Sequence, residues 1–75
     1  MDRSIIRDAL TAAIAESQSE QWAEVARRHG GSALIALESG DMLSAWLAVT
    51  CVAFHCETSL WWTLARDIGA EVGHV

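Results

Sequence analysis

Three side chains that could bind a metal or act as nucleophiles lie close together in the second half of the chain: Cys51, His55 and Cys56. On a helix, Cys51 and His55 would share one face, because they are four residues apart, the spacing that paired metal ligands use. A structural zinc site needs four ligands, and Cys56 would lie about 100° around the helix from His55. The other histidines, His29 and His74, are distant in sequence, and no CxxC or HExxH pattern is present. We therefore expect folding without a metal or any other cofactor.

The same residues also have a purely structural interpretation. Free cysteines are among the most buried residues, which predicts that Cys51 and Cys56 are small core side chains with His55 at the boundary. Their separation on a helix places the two Cα atoms beyond the ~7 Å limit for a disulfide. A catalytic thiolate would also need an oriented base, an oxyanion site and a cleft, so we expect no enzyme. A metal-binding or redox-sensing module using Cys51, His55 and Cys56 stays open as the alternative.

The elements that position these side chains are predicted to be helices, in a single domain covering residues 1–75. The chain has no proline and no repeat, and it is rich in Ala, Leu, Glu and Arg, a composition that favours an all-α fold. In the first segment, residues 4–28, apolar side chains recur at helical spacing after a possible N-cap at Ser4. Ser17 followed by Glu20 is a capping-box pattern, so this segment is either one helix or two.

Glycines at two places in the middle of the chain are predicted to end helices. Gly30-Gly31 follows a basic segment and predicts the end of the first helical region. A short helix would then begin after Ser32 and end at Gly40, and Asp41 would cap the next helix. A hairpin over residues 33–46 is the alternative, which the weak strand propensity of Ala and Leu disfavours.

From Asp41 to about Val72 the pattern predicts one long C-terminal helix that packs on the N-terminal helices. The residues expected to share one broad face of this helix are Leu43, Trp46, Leu47, Thr50, Phe54, Glu57, Trp61, Leu64, Ile68 and Val72. Residues 42–54 are apolar nearly all round, which indicates burial on more than one side. This apolar run is shorter than the roughly 20 residues that a membrane crossing requires, so no membrane span is expected.

The surplus of apolar residues predicts a homodimer that completes this fold. Hydrophobic residues make up 52% of the chain, yet a chain this short hides only about 60% of its unfolded surface. Two-fold dimers are the commonest way to bury such a surplus. Tryptophan is enriched at binding hot spots, and the predicted dimer interface consists of Trp46, Phe54, Trp61 and Trp62. The alternative places the tryptophans in the core of a monomer.

The charge of the chain favours a basic protein partner. Ten acidic residues stand against five basic ones, giving a net charge of −5, which argues against direct nucleic-acid binding. The acids lie in blocks, and like charges at i, i+4 spacing destabilise a helix, which suggests a role in recognition. The predicted partner-binding residues are Glu16, Glu20, Glu24, Glu38, Asp41 and Glu57. A solvated face that keeps the protein soluble is the alternative.

In size, acidity and lack of catalytic motifs, the whole chain resembles the small inhibitors encoded by phages and mobile elements, such as anti-CRISPR proteins. The resemblance implies a protein that blocks a positively charged surface on a host protein that handles nucleic acid. The resemblance assigns no functional role to any individual residue of this sequence. The charged amino terminus, MDRSIIRDAL, does not read as a secretory signal, so a cytoplasmic location is expected. A helical subunit of a larger complex is a further hypothesis.

Overall fold

The chain folds into four α-helices in a computed structural model that describes residues 2–56 and 58–73. The helices are α1 (Arg3–Glu16), α2 (Ala23–Glu38), α3 (Met42–His55) and α4 (Ser59–Val72), with a short 3₁₀ helix at Ser17–Ser19. No strand occurs in these residues, so the all-α prediction is confirmed and the hairpin alternative is wrong.

The first helical segment is broken in two, one of the two alternatives that its sequence leaves open. Helix α1 is capped by Asp2, whose carboxylate accepts a hydrogen bond from the Ser4 backbone N–H at 3.1 Å; the cap predicted at Ser4 is therefore wrong by two positions. At the other end, the Ser17 hydroxyl donates to the Ala13 carbonyl at 2.9 Å. Glu20 then adopts an extended backbone, which ends the helical run.

Gly30-Gly31 does not end a helix, which corrects the prediction. Helix α2 runs through both glycines to Glu38. A Cβ atom at Gly30 would lie 2.7 Å from the Ile14 side chain and 3.4 Å from the Trp61 ring. Glycine is needed here because α2 approaches its neighbours closely, and this contact outweighs a helix-propensity cost of about 1 kcal/mol.

The helix instead ends at the next glycine along the chain. Gly40 has a φ of 79°, the left-handed conformation that glycine adopts readily. Asp41 then caps α3, and its side chain accepts a hydrogen bond from the Ser44 N–H at 3.1 Å. The predicted cap at Asp41 is confirmed, whereas the short separate helix after Ser32 is wrong.

The predicted long C-terminal helix is also wrong, because α3 and α4 are separate. Cys56 and Thr58 both have extended backbones on either side of the break. A continuous helix over residues 41–72 would be about 48 Å long, whereas the longest dimension of the molecule is 34 Å. Folding back lets α4 cover one side of the apolar α3, which a single straight helix would leave in water.

The core lies between all four helices and consists mostly of small side chains around one tryptophan. Trp61 is the largest fully buried residue. The other buried hydrophobic residues are Ile6, Leu10, Ala13, Ala26, Ala33, Ala36, Leu37, Ala45, Val49, Val52, Ala53, Leu64, Ala65 and Ile68. Seven of these fourteen are alanine, so the helix axes approach closely and leave little room for large side chains on the inner faces.

Candidate interaction surfaces

The described residues with metal-binding chemistry do not assemble into a site, and His74 lies outside the described residues. Cys51 is exposed and Cys56 is half-buried, and both are free thiols; the prediction that both are buried is therefore wrong for Cys51. The His55 Nδ1 lies 2.8 Å from the Cys51 carbonyl oxygen, so this nitrogen donates to the backbone. Within residues 2–56 and 58–73, no group of three or more His, Cys, Asp and Glu side chains could hold a metal ion.

The side of α3 that faces away from the core is apolar and exposed. Leu43, Leu47, Cys51 and Phe54 follow one another along it at helical spacing. Leu43 is 53% exposed, Leu47 52% and Phe54 74%. The rings of Phe54 and of Trp62 on α4 are in a T-shaped contact, with the ring centroids 5.0 Å apart. We call these five residues the outer stripe.

The outer stripe corrects the predicted broad face of this segment. Leu43, Leu47 and Phe54 were expected to share that face with Trp61 and Ile68, which are buried, whereas the buried side of α3 carries Ala45, Val49, Val52 and Ala53. Because α3 is apolar nearly all round, its sequence pattern does not distinguish the two sides. The smaller side chains face inward since α2 and α4 both pack closely against this helix.

The four residues predicted to form a dimer interface lie in different environments. Phe54 and Trp62 are exposed in the outer stripe, as that prediction requires. Trp46 is half-buried beside α4, where its Nε1 would lie 2.9 Å from a Cβ atom at Gly69. Trp61 has no exposed surface, so it is a core residue and is not available to a partner.

The acids of the first block do not form one strip. Glu16 ends α1, Glu20 follows the 3₁₀ helix in extended backbone, and Glu24 lies in the first turn of α2. The like-charge cost of an i, i+4 run therefore does not arise. Glu24 is stabilised by the positive end of α2 and pairs with Arg27.

The remaining predicted partner-binding acids have separate surroundings. Glu38 is exposed at the end of α2. The Asp41 carboxylate accepts from both the Ser44 hydroxyl, at 2.7 Å, and the Ser44 N–H. These two hydrogen bonds, the hydroxyl first, lower the pKa of Asp41 below its ordinary value. Glu57 lies outside the described residues.

A crevice lies between the α1–α2 connection and the start of α4. It has a volume of about 320 Å³ and is lined by Glu16, Ser17, Glu20, Trp22, Thr58 and Leu60. We call it the Trp22 crevice. It combines two exposed carboxylates with an aromatic ring and an aliphatic side chain, so it offers both negative charge and apolar surface.

The two tryptophans near Ser17 differ in how their indole N–H groups are satisfied. The Trp61 Nε1–H donates to the Ser17 Oγ at 3.0 Å. The Trp22 Nε1–H is buried, and no acceptor for it exists in the part of the chain that the structure describes. An unsatisfied buried donor costs about 1–3 kcal/mol. The sequence interpretation overlooked Trp22; the available signal was its position shortly after a possible helix break and between Glu20 and Glu24.

The single chain already has the compactness of a folded monomer. Its accessible surface is 4480 Å², and a monomer of its mass, 8.1 kDa, is expected to expose about 4,500 Å². A second copy would therefore cover an exposed surface and would not complete the core. None of the helices in residues 2–56 and 58–73 combines the length and apolar character needed to cross a membrane.

Comparison of the chain with protein-family models, curated proteins and solved structures finds no match.

Proposed function

We propose that this protein is a non-enzymatic, homodimeric interaction protein of the cytoplasm. Its acidic surface binds and blocks a basic surface on a protein that handles nucleic acid, as the resemblance to anti-CRISPR inhibitors implies. The observation that carries the homodimer in this proposal is the outer stripe. Isolated exposed apolar side chains are normal, but a contiguous row of them marks an interaction surface.

A second copy of the chain is the occupant that best fits the outer stripe. Residues 42–54 contain no charged side chain, so two stripes can meet about a two-fold axis without like-charge repulsion. A standard interface needs about 800 Å² from each partner, roughly a sixth of the surface of 4480 Å². Phe54 and Trp62 together expose about 200–300 Å² toward that area. Flanking residues on α3 and α4 would supply the remainder.

The acidic residues outside the stripe support a basic partner. Glu16, Glu20 and Glu38 are exposed, and within the described residues none of the three makes an ion pair. With a net charge of −5, the chain attracts basic surfaces over a Debye length and increases the rate of encounter. Charge of this kind contributes more to association rate and partner choice than to affinity.

Light scattering tests the dimer. The wild-type protein should show twice the chain mass of 8.1 kDa at micromolar concentration, and Leu47→Asp should show the monomer mass, because a buried unpaired charge opposes the contact. Ile5→Asp is the matched control, since Ile5 is an exposed apolar residue on α1 and its substitution should leave the dimer intact. A monomeric wild type would refute the dimer.

Association kinetics test the basic partner. Once a basic protein is captured, the association rate should fall as salt rises, and the Glu16→Arg, Glu20→Arg double variant should associate more slowly with a flatter salt dependence. Circular dichroism and dimer mass should be unchanged. If the double variant associates as fast as wild type and with the same salt dependence, these acids serve only solubility.

A further inference from the structure

The Trp22 crevice has a chemistry that neither the outer stripe nor the overall acidity explains. We propose that it binds the guanidinium group of an arginine side chain on the basic partner. This inference rests on the partner-binding function proposed above and names the residue type that the partner presents. Its support comes from the carboxylates, the apolar wall, the size of the crevice and the unsatisfied indole of Trp22.

The carboxylates of the crevice are available to a cation. Glu16 and Glu20 are both exposed at its edge, and no arginine of the described residues pairs with either of them. The neighbouring Glu24 differs, because its carboxylate pairs with Arg27. Arginine presents five N–H donors in a planar fork, which matches carboxylate oxygens more closely than the point charge of lysine does.

The wall of the crevice favours guanidinium over ammonium. Trp22 and Leu60 contribute apolar surface to it, and Trp22 offers an aromatic ring. A guanidinium group is weakly hydrated and stacks on aromatic faces, whereas an ammonium group is strongly hydrated and resists partial burial. A crevice with acidic and aromatic sides therefore selects arginine.

The size and position of the crevice fit one side chain. Its volume of about 320 Å³ is at the lower end of the roughly 300–1,000 Å³ found for ligand pockets, which is small for a cofactor. The crevice also adjoins Glu16, where α1 ends. The carboxyl end of a helix carries partial negative charge and attracts cations.

The buried N–H of Trp22 offers a hydrogen bond to a bound peptide in addition to packing contacts. This donor has no acceptor among the described residues, so the present position of the indole leaves it unsatisfied. A small reorientation of the ring on binding would let Nε1–H donate to a peptide carbonyl next to the arginine. A peptide should therefore bind more tightly than a free alkylguanidinium ion.

Nuclear magnetic resonance titration of the full chain tests the assignment. The probes are the peptides acetyl-Gly-Arg-Gly-amide and acetyl-Gly-Lys-Gly-amide, together with ethylguanidinium chloride. The Arg peptide should shift the indole N–H resonance of Trp22 and leave that of Trp46, which lies beside Gly69, unchanged. The Lys peptide and ethylguanidinium should bind several-fold more weakly.

Substitutions with a matched control test whether the two crevice carboxylates contribute to the binding of the Arg peptide. The Glu16→Gln, Glu20→Gln double variant should lower the association constant for the Arg peptide about fivefold, the loss expected for two exposed ion pairs. Glu24→Gln removes an acid that is already paired with Arg27, and it should change the constant by less than about twofold. Both variants preserve side-chain size and should remain folded.

Two results would overturn the assignment. One is a saturating Arg peptide that leaves the Trp22 resonance in place, and the other is an equal loss of affinity in Glu24→Gln and in the double variant. The partner assay separates the two proposals. If the double variant keeps full affinity for a captured basic protein, the crevice assignment fails and the partner-binding function stands. If no basic protein binds, that function fails, and the peptide titration still decides the crevice.

Discussion

The outer stripe and the Trp22 crevice differ in the chemistry that they present to solvent. The stripe is a row of exposed apolar side chains on a helix without a charge in residues 42–54. The crevice combines two exposed carboxylates with an indole whose N–H is unsatisfied. Apolar surface favours self-association that depends weakly on salt, whereas the acidic crevice favours a cation and depends strongly on salt. The proposed dimer assigns the stripe to a second copy of the chain, and the proposed arginine site assigns the crevice to a basic partner.

The largest effect should come from the tryptophan that is the largest buried side chain of the core. Trp61 is fully buried and bonded to Ser17, so Trp61→Ala should lower the free energy of unfolding by about 3–5 kcal/mol. Trp62→Ala should cost about 1 kcal/mol, because its ring is partly exposed and contacts Phe54 at the surface. Both variants should be unfolded with urea in a chain that also carries Leu47→Asp, so that dimer formation does not contribute to the measured free energy of unfolding. Equal losses of unfolding free energy in Trp61→Ala and Trp62→Ala would contradict the assignment of Trp61 to the core and of Trp62 to the outer stripe.

The next effect separates the stripe from the crevice. Phe54→Ala should weaken the dimer by about 30-fold or more, the loss typical of an aromatic hot spot. Its side chain does not line the crevice, so the affinity for the Arg peptide should be unchanged. Analytical ultracentrifugation measures the dimer constant and the titration measures the peptide. If Phe54→Ala weakens the dimer and the binding of the Arg peptide to the same extent, the stripe and the crevice are parts of one binding surface.

Salt should separate the two surfaces without any mutation. Raising NaCl from about 50 mM to about 500 mM shortens the Debye length from roughly 14 Å to 4 Å. The Arg peptide should bind several-fold more weakly at the higher salt, and the dimer constant should change by less than about twofold. A dimer that weakens as much as the peptide would place charged contacts in the stripe interface.

A smaller effect concerns the unsatisfied indole. Trp22→Phe removes the buried N–H that has no acceptor in the described residues and keeps an aromatic ring. Removal of an unsatisfied donor offsets part of the lost packing, so the free energy of unfolding should change by less than about 1 kcal/mol. Trp61→Phe breaks a real hydrogen bond to Ser17 and should cost clearly more. Thermal unfolding of the two variants makes the comparison.

The smallest effect is the pH dependence of the cap at Asp41. The Ser44 hydrogen bonds lower the pKa of Asp41 in the folded state from 3.8. Its contribution to stability is therefore present above about pH 4 and is lost as the pH falls through the lowered pKa of the folded state. Asp41→Asn keeps a capping side chain but removes this titration. The protection factors of the amides at the start of α3, which correct for the intrinsic pH dependence of exchange, should fall below about pH 4 in wild type and change less in the variant.

Much of the fold could be predicted because its signals are local. The helical composition, the cap at Asp41 and the possible break near Ser17 can all be found by considering a few neighbouring residues. The functional surfaces were harder to predict. Glu16, Glu20, Glu24 and Glu38 are exposed, but the i, i+4 run expected for Glu16, Glu20 and Glu24 does not form, because the 3₁₀ helix at Ser17–Ser19 and the extended Glu20 interrupt it.

The sequence by itself determined that this chain is helical, acidic and apolar enough to leave hydrophobic side chains in solvent. Only the tertiary structure decided that Gly30 is a packing contact beside Ile14 and Trp61, since a glycine that stops a helix and one that admits a neighbour look identical in sequence. It also decided which side of α3 is buried. A helix that is apolar all round has no preferred face, so the close approach of α2 and α4 selects the small side chains inward and leaves Leu43, Leu47 and Phe54 outside.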